Sequence, residues 1–300
     1  MKTRIITGIM VTVLLLPALV FGAATAKLRH VVSIYLDAKE GMINLPQGVA
    51  ARGTLVVVAD SANGRLLKYT FQEGILKGGD EIRVTEVSYP EHVAISSKNE
   101  IFVLDGKQRR IARIGAEGSF KGFVKAEGVP GTSDFMPMSF RLDNADNLYI
   151  LDIFSARVLV LDPAGKYLKS ADFPEQYGFI SDVEVDFRGT VFLLDSVKST
   201  VYSLARDAKE FTALTRSLKD DMNFAVNMAV DAKGFLYIGD QNGGGVVIIG
   251  PDGSYQGRQL GFGWKEGLLR YPAQMAFNEK EDFFIADRNN NRIQIFSLIK

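Results

Sequence analysis

The chain holds few side chains able to carry chemistry, and the best set is oxygen-rich. Asp182, Glu184 and Asn227 offer carboxylate and amide oxygens of the kind Ca²⁺ takes. With His92, Ser139, Arg141 and Gln274 they form a candidate ligand-binding set. Other chemistries are poorly supplied. There is no Cys, and the two histidines are His30 and His92, so neither a thiolate site nor a three-His metal site can form. No G-x-S-x-G occurs, and two histidines leave little room for a Ser-His-Asp triad. One Gly run, Asn242-Gly243-Gly244-Gly245, fits a flexible turn between strands better than a phosphate cradle.

These residues are useful only if something brings them together, and a repeat does so. The segments LVVVAD, IFVLD, LYILD, VFLLD, FLYIGD and FFIAD end at Asp60, Asp105, Asp152, Asp195, Asp240 and Asp287. The spacings are 45, 47, 43, 45 and 47 residues, a period that marks a repeat architecture. Each unit divides into four short apolar or alternating runs. Breaker turns such as Pro163-Ala164-Gly165 and Pro251-Asp252-Gly253 separate them. Four short strands per unit describe a propeller blade. The last unit stops after its third run, whereas Arg29–Leu36 alternates like a strand and precedes the first unit. The expected fold is therefore all-β: a six-bladed β-propeller of four-stranded antiparallel blades, with an N-terminal strand closing the last blade. Without that strand, blade 6 would keep an open sheet edge.

Ahead of the repeats, Lys2 and Arg4 precede the apolar stretch Ile5–Phe21 and then Ala24-Thr25-Ala26. That is the pattern of a cleavable secretory signal. The expected organisation is a signal peptide over 1–26 and one propeller over 27–300, exported to the periplasm or secreted. No later segment is apolar enough to span a membrane after signal cleavage. The whole chain has 35 basic and 35 acidic residues; removing Lys2 and Arg4 leaves 33 and 35. That balance argues against nucleic acid as a partner.

The last unit reads Tyr271-Pro272, Phe283-Phe284-Ile285-Ala286-Asp287, then Asn290-Asn291-Arg292-Ile293-Gln294-Ile295-Phe296. It resembles the NHL repeat, roughly P-x-G-I-A-V-D, I-Y-V-A-D and N-x-R-I-Q-x-F. The first unit matches in Pro46-Gln47-Gly48-Val49-Ala50, Ala59-Asp60 and Asn63-Gly64-Arg65. The resemblance implies the propeller fold and leaves function open, because such propellers bind proteins, bind RNA or catalyse. Related six-bladed lactonases hold Ca²⁺ with Glu, Asn and Asp in the channel. That likeness implies Asp182, Glu184 and Asn227 as the metal set here.

The register sorts roles. An Asp recurring in every unit serves the structure, accepting N–H bonds at the turn it enters. Arg65, Arg157 and Arg292, which open third strands, are expected to pair with a neighbouring blade's carboxylate. Strand alternation puts Gly48, His92, Ser139, Asp182, Asn227 and Gln274 on one side of the innermost strands, as a polar ring at the channel mouth. Arg141 and Glu184 should form an ion pair just below it. Such a ring is either a solvated lining or a ligand site. Phe135, Met136, Tyr177, Phe179, Phe224, Trp264 and Tyr271 fall in loops of one face, a candidate partner-binding rim. Basic residues including Lys107, Arg109, Arg110, Lys198 and Arg288 lie in turns of that face and would steer an acidic partner. The leading expectation is a non-catalytic scaffold that docks a protein, or a small ligand, on this loop face, with its protein partner in the envelope or extracellular space. No catalytic residue and no obligatory cofactor is assigned. The alternative is a Ca²⁺-dependent lactonase- or lyase-like hydrolase with its site at the channel mouth.

Overall fold

The computed structural model describes residues 27–299, and the signal-like segment 1–26 lies outside the described residues. Six four-stranded antiparallel sheets follow one another round a ring. Their innermost strands are Gly48–Arg52, Pro90–Ile95, Pro137–Leu142, Ile180–Val185, Ala225–Val230 and Pro272–Phe277. These define blades 1 to 6 in chain order.

The ring closes as the sequence predicts. Lys27–Ile34 pairs antiparallel with Arg292–Ile299, from Lys27 opposite Ile299 to Ile34 opposite Ile293. The first strand thus becomes the outermost strand of blade 6 and covers the edge that blade would otherwise expose.

Alternation along each strand builds the core. Both faces of a middle strand are apolar because each meets a different neighbouring blade. Six apolar clusters result, one at each blade interface. Between blades 6 and 1, Val49, Val56 and Val58 meet Phe284, Ala286 and Ile293. Between blades 4 and 5, Phe192, Leu194 and Val201 meet Met228, Ile238 and Val247. Each fully buried aliphatic side chain contributes roughly 1.5–3 kcal/mol. With no disulfide available, this packing is the main glue.

The repeated Asp residues are all fully buried, and they do more than close their own turns. Asp105 accepts from Lys107 and Gln108 N–H just after it, at 2.8 Å each, and from Ser88 N–H at 2.6 Å in the loop leading into the blade. Asp195 binds Val197 and Lys198 N–H at 3.0 and 2.9 Å and Gly178 N–H at 2.6 Å. Each such Asp ties two loops of one face together. The arginines pair within their own blades, not with a neighbouring one as the sequence suggested. Arg65, Arg157 and Arg292 donate through Nε to Asp60, Asp152 and Asp287 of their own blade, at 2.7, 3.0 and 2.7 Å. The reason is register: each Arg lies directly opposite that Asp across a two-strand hairpin.

Candidate functional site

The channel-facing residues are positioned by a repeated backbone irregularity. In blades 2 to 6 the pairing of the innermost strand slips just after its first residue, between Pro90 and Val93, Pro137 and Ser139, Ile180 and Asp182, Ala225 and Asn227, and Pro272 and Met275. A bulge re-aims the side chain beside it. Blade 1 has no slip at Gly48. A Cβ there would stand 2.3 Å from the Glu91 carbonyl oxygen and 2.9 Å from Gln274 Oε1. Only glycine lets the neighbours close over that point.

They close as a septum across the channel rather than as an open mouth. Ser139 Oγ donates to Asp182, from blade 3 to blade 4. Asp182 Oδ2 then accepts from Asn227 Nδ2 at 2.6 Å and from Met228 N–H at 2.9 Å in blade 5. Asn227 Oδ1 accepts from Met275 N–H of blade 6 at 2.8 Å. Gln274 passes over Gly48 and grips the blade 2 backbone twice: its Oε1 accepts from Val93 N–H at 2.9 Å, and its Nε2 donates to Val93 O at 2.8 Å. Ser139, Asp182, Asn227 and Gln274 are all buried. His92 is the exception. It lines the cavity above the septum, and among the described residues its side chain makes no hydrogen bond, leaving Nδ1 buried without a partner.

Arg141 and Glu184 sit on the other side, as expected. Arg141 Nε meets Glu184 at 3.0 Å and its Nη2 meets Asp182 at 3.1 Å. Burial pushes both carboxyls above their usual range, with Arg141 pulling the other way. Burial also disfavours the guanidinium, but the two carboxylates outweigh it and hold it charged. Burial, then Arg141 and Arg109, drive the His92 imidazole down to about 3, so it is neutral at ordinary pH.

The septum divides the channel into two cavities. The one on the loop face has a volume of about 260 Å³ and is lined by Glu91, His92, Phe179, Phe224, Asn227 and Arg288 among others. The one on the opposite face, about 280 Å³, is lined by Arg141, Asp143, Glu184, Asp186, Asp231 and Asn278 among others. A Ca²⁺ ion fits the donor set poorly. Asp182 already receives four hydrogen bonds, Asn227 spends its oxygen on Met275, and the Arg141 cation occupies the position between the carboxylates. No cluster of three metal-ligating His, Asp or Glu exists among the described residues.

The rim residues divide. Met136, Tyr177, Phe179, Phe224 and Trp264 are exposed, Trp264 by 74%. Phe135 and Tyr271 are half-buried; Phe135 packs against the cluster between blades 2 and 3. Sequence reasoning missed Phe154 and Val197, two residues past a blade-tip Asp and therefore at tips of the same face. It also missed Tyr35, Leu36, Met42 and Leu45 after the closing strand, and Phe262 beside Trp264. The basic residues are less free than expected. Arg65, Arg157 and Arg292 are consumed by blade-tip carboxylates, and Arg109 pairs with Glu91 at 3.2 Å. Arg288 makes no salt bridge among the described residues, although it acts through space on the Glu91 carboxylate; its Nε donates to Asn289 Oδ1 at 3.1 Å.

Ring, closure and blade count define a six-bladed β-propeller carrying NHL-type sequence. Residues 269–296 match the NHL repeat. The fold is similar to that of a streptogramin B lyase at 12% identity, with a TM-score of 0.61 over 91% of this chain and 98% of that one. It is also similar to a gluconolactonase from Xanthomonas campestris at 15% identity, TM-score 0.65, over 91% and 90%. A virginiamycin B lyase from Staphylococcus aureus aligns at 12% identity, TM-score 0.61, over 91% and 100%. At these identities the likeness concerns the fold alone. No curated protein matches the sequence.

Proposed function

We propose that this chain is a non-catalytic propeller that works outside the cytoplasm and docks a protein partner on its loop face. One observation carries the reading. Of the seventeen exposed large apolar side chains among the described residues, twelve lie in loops of that face: Tyr35, Leu36, Met42, Leu45, Met136, Phe154, Tyr177, Phe179, Val197, Phe224, Phe262 and Trp264. Exposed apolar surface gathered on one side marks an interaction site, and aromatic side chains are the usual anchors of protein interfaces. Export is supported by the basic, apolar and small-x-small order of residues 1–26. The Ca²⁺-dependent hydrolase reading would require Asp182, Glu184 and Asn227 to give up the partners they now have.

A photo-crosslinking side chain placed singly at Phe154, Phe179 or Trp264 tests the face in the producing cell. A discrete protein adduct from these positions, and none from Ile75 or Tyr255 elsewhere on the surface, is the expected result. Equal adducts from both groups, or none from either, would overturn the assignment.

A further inference from the structure

The cavity above the septum presents hydrogen-bond donors that the fold leaves unused and a guanidinium, Arg288, that makes no salt bridge among the described residues. Each side-chain amide nitrogen carries two N–H groups. Asn227 gives one to Asp182 and Gln274 gives one to Val93 O, so each retains another. Their oxygens are already engaged by Met275 N–H and Val93 N–H. At the rim Glu91 and Arg109 offset each other at 3.2 Å. Arg288 adds a second guanidinium, which makes no salt bridge among the described residues and donates its Nε to Asn289; the Glu91 carboxylate feels both cations. His92 lines the same cavity, and its buried Nδ1 lacks a partner while every other polar member of the septum has one. An orphaned polar group in an otherwise satisfied network marks the place where a partner belongs. Met138, Phe179 and Phe224 give one apolar side to a wall that also carries Gln47, Ser181, Ser196 and Gln241.

We infer that this cavity binds a small organic monocarboxylate, its carboxylate toward Arg288 and the free amide N–H groups and its apolar body between Phe179, Phe224 and Met138. A guanidinium reads a carboxylate through paired, charge-assisted hydrogen bonds. The volume of about 260 Å³ lies just under the roughly 300–1,000 Å³ of pockets for drug-sized ligands, so the acid is small. This site does not rest on protein docking at the face around it, and either can fail alone.

The test titrates the full chain with acetate, isovalerate and phenylacetate, and with uncharged phenylacetamide as the neutral match. Binding is read by calorimetry and by NMR of the methyl signals of Met138. Saturable binding of isovalerate or phenylacetate is expected, at least tenfold tighter than phenylacetamide, the factor that one charge-assisted hydrogen bond supplies. Arg288→Gln should weaken the acid tenfold or more and leave the amide unchanged. Glu91→Gln should act in the opposite direction, tightening the acid severalfold by releasing Arg109; a folding defect cannot move the two variants apart. No binding across the three acids, equal affinity for acid and amide, or an Arg288→Gln variant that binds like the wild type each overturns the assignment.

Discussion

Replacing Asp182 by Ala should be among the most damaging single changes in the protein, although Asp182 belongs to no apolar cluster. Its carboxylate is fully buried and accepts from Ser139, Arg141, Asn227 and Met228 N–H. Removal strands the Met228 backbone donor and one Asn227 N–H, at about 1–3 kcal/mol each. It also takes from Arg141 one of two counter-charges. Breaking a buried pair outright costs about 3–5 kcal/mol, but Arg141 retains Glu184 at 3.0 Å, so only part of that applies. The combined loss is about 4 kcal/mol, which lowers the thermal midpoint of a chain this size by roughly 8–16 °C. Calorimetric melting of Asp182→Ala beside Glu184→Gln measures it. Glu184 is also buried against Arg141, but a Gln there keeps an oxygen for Arg141 Nε and leaves Asp182 as the counter-charge, so Glu184→Gln should cost clearly less than Asp182→Ala. Adding Arg141→Ala to Asp182→Ala should cost less than the two losses summed, because the second change removes a cation already deprived of its partner. A midpoint for Asp182→Ala within about 2 °C of the wild type would refute the claim that the septum ties blades 3, 4 and 5 together.

Two further outcomes follow from the same geometry. His92 is held near 3 in the folded state against an ordinary imidazole value of 6.5, so the unfolded chain takes up the proton first as pH falls. Its contribution is unchanged above about pH 6.5 and worsens at up to about 1.4 kcal/mol per pH unit below it. The side chain retains some solvent contact, so about 1–2 kcal/mol is expected at pH 5. Urea midpoints of wild type and His92→Gln across pH 4.5–8 should therefore diverge below pH 6.5; parallel curves would sink the argument. Calorimetric titration of the wild type with Ca²⁺ should give no saturable heat, since Arg141 holds the place of the ion. A saturable signal that disappears in Asp182→Ala would restore the hydrolase reading.

Fold and register were legible in the sequence because a period of 43–47 residues with an Asp at a fixed point of each unit leaves little freedom. The closing strand was legible for a topological reason: one unit lacked a strand and one strand lacked a unit. The ring residues were also found, since alternation counted from the position that is proline in four of the units selects Ser139, Asp182, Asn227 and Gln274. What the sequence could not give was their reach. Alternation says which side of a strand a residue takes, not that Gln274 will pass over a glycine to a blade two places away, nor that the ring will seal the channel. The arginines erred for a related reason. Arg65 and Asp60 are five residues apart, and only the tight hairpin between them decides that they face each other. Tip residues such as Phe154 and Val197 were missed because nothing in their own types sets them apart from core.

In a repeat protein, the residue that differs between units is usually taken as the functional signal, because the common fold explains only what recurs. The septum shows why that inference needs a second step. Ser139, Asp182, Asn227 and Gln274 differ from blade to blade, yet each difference answers a particular neighbour: a hydroxyl for a carboxylate, a carboxylate for an amide, an amide for a backbone across a glycine. Closing a ring of unequal blades creates unequal joints, and variation at the joints is structural. Function should be sought in what remains once those bonds are subtracted. At the channel that remainder is His92 with its orphaned nitrogen and Arg288, which makes no salt bridge among the described residues; on the surface it is the apolar tips of one face. None of these side chains belongs to the hydrogen-bond chain of the septum, and on that ground a partner outside the chain is proposed for them.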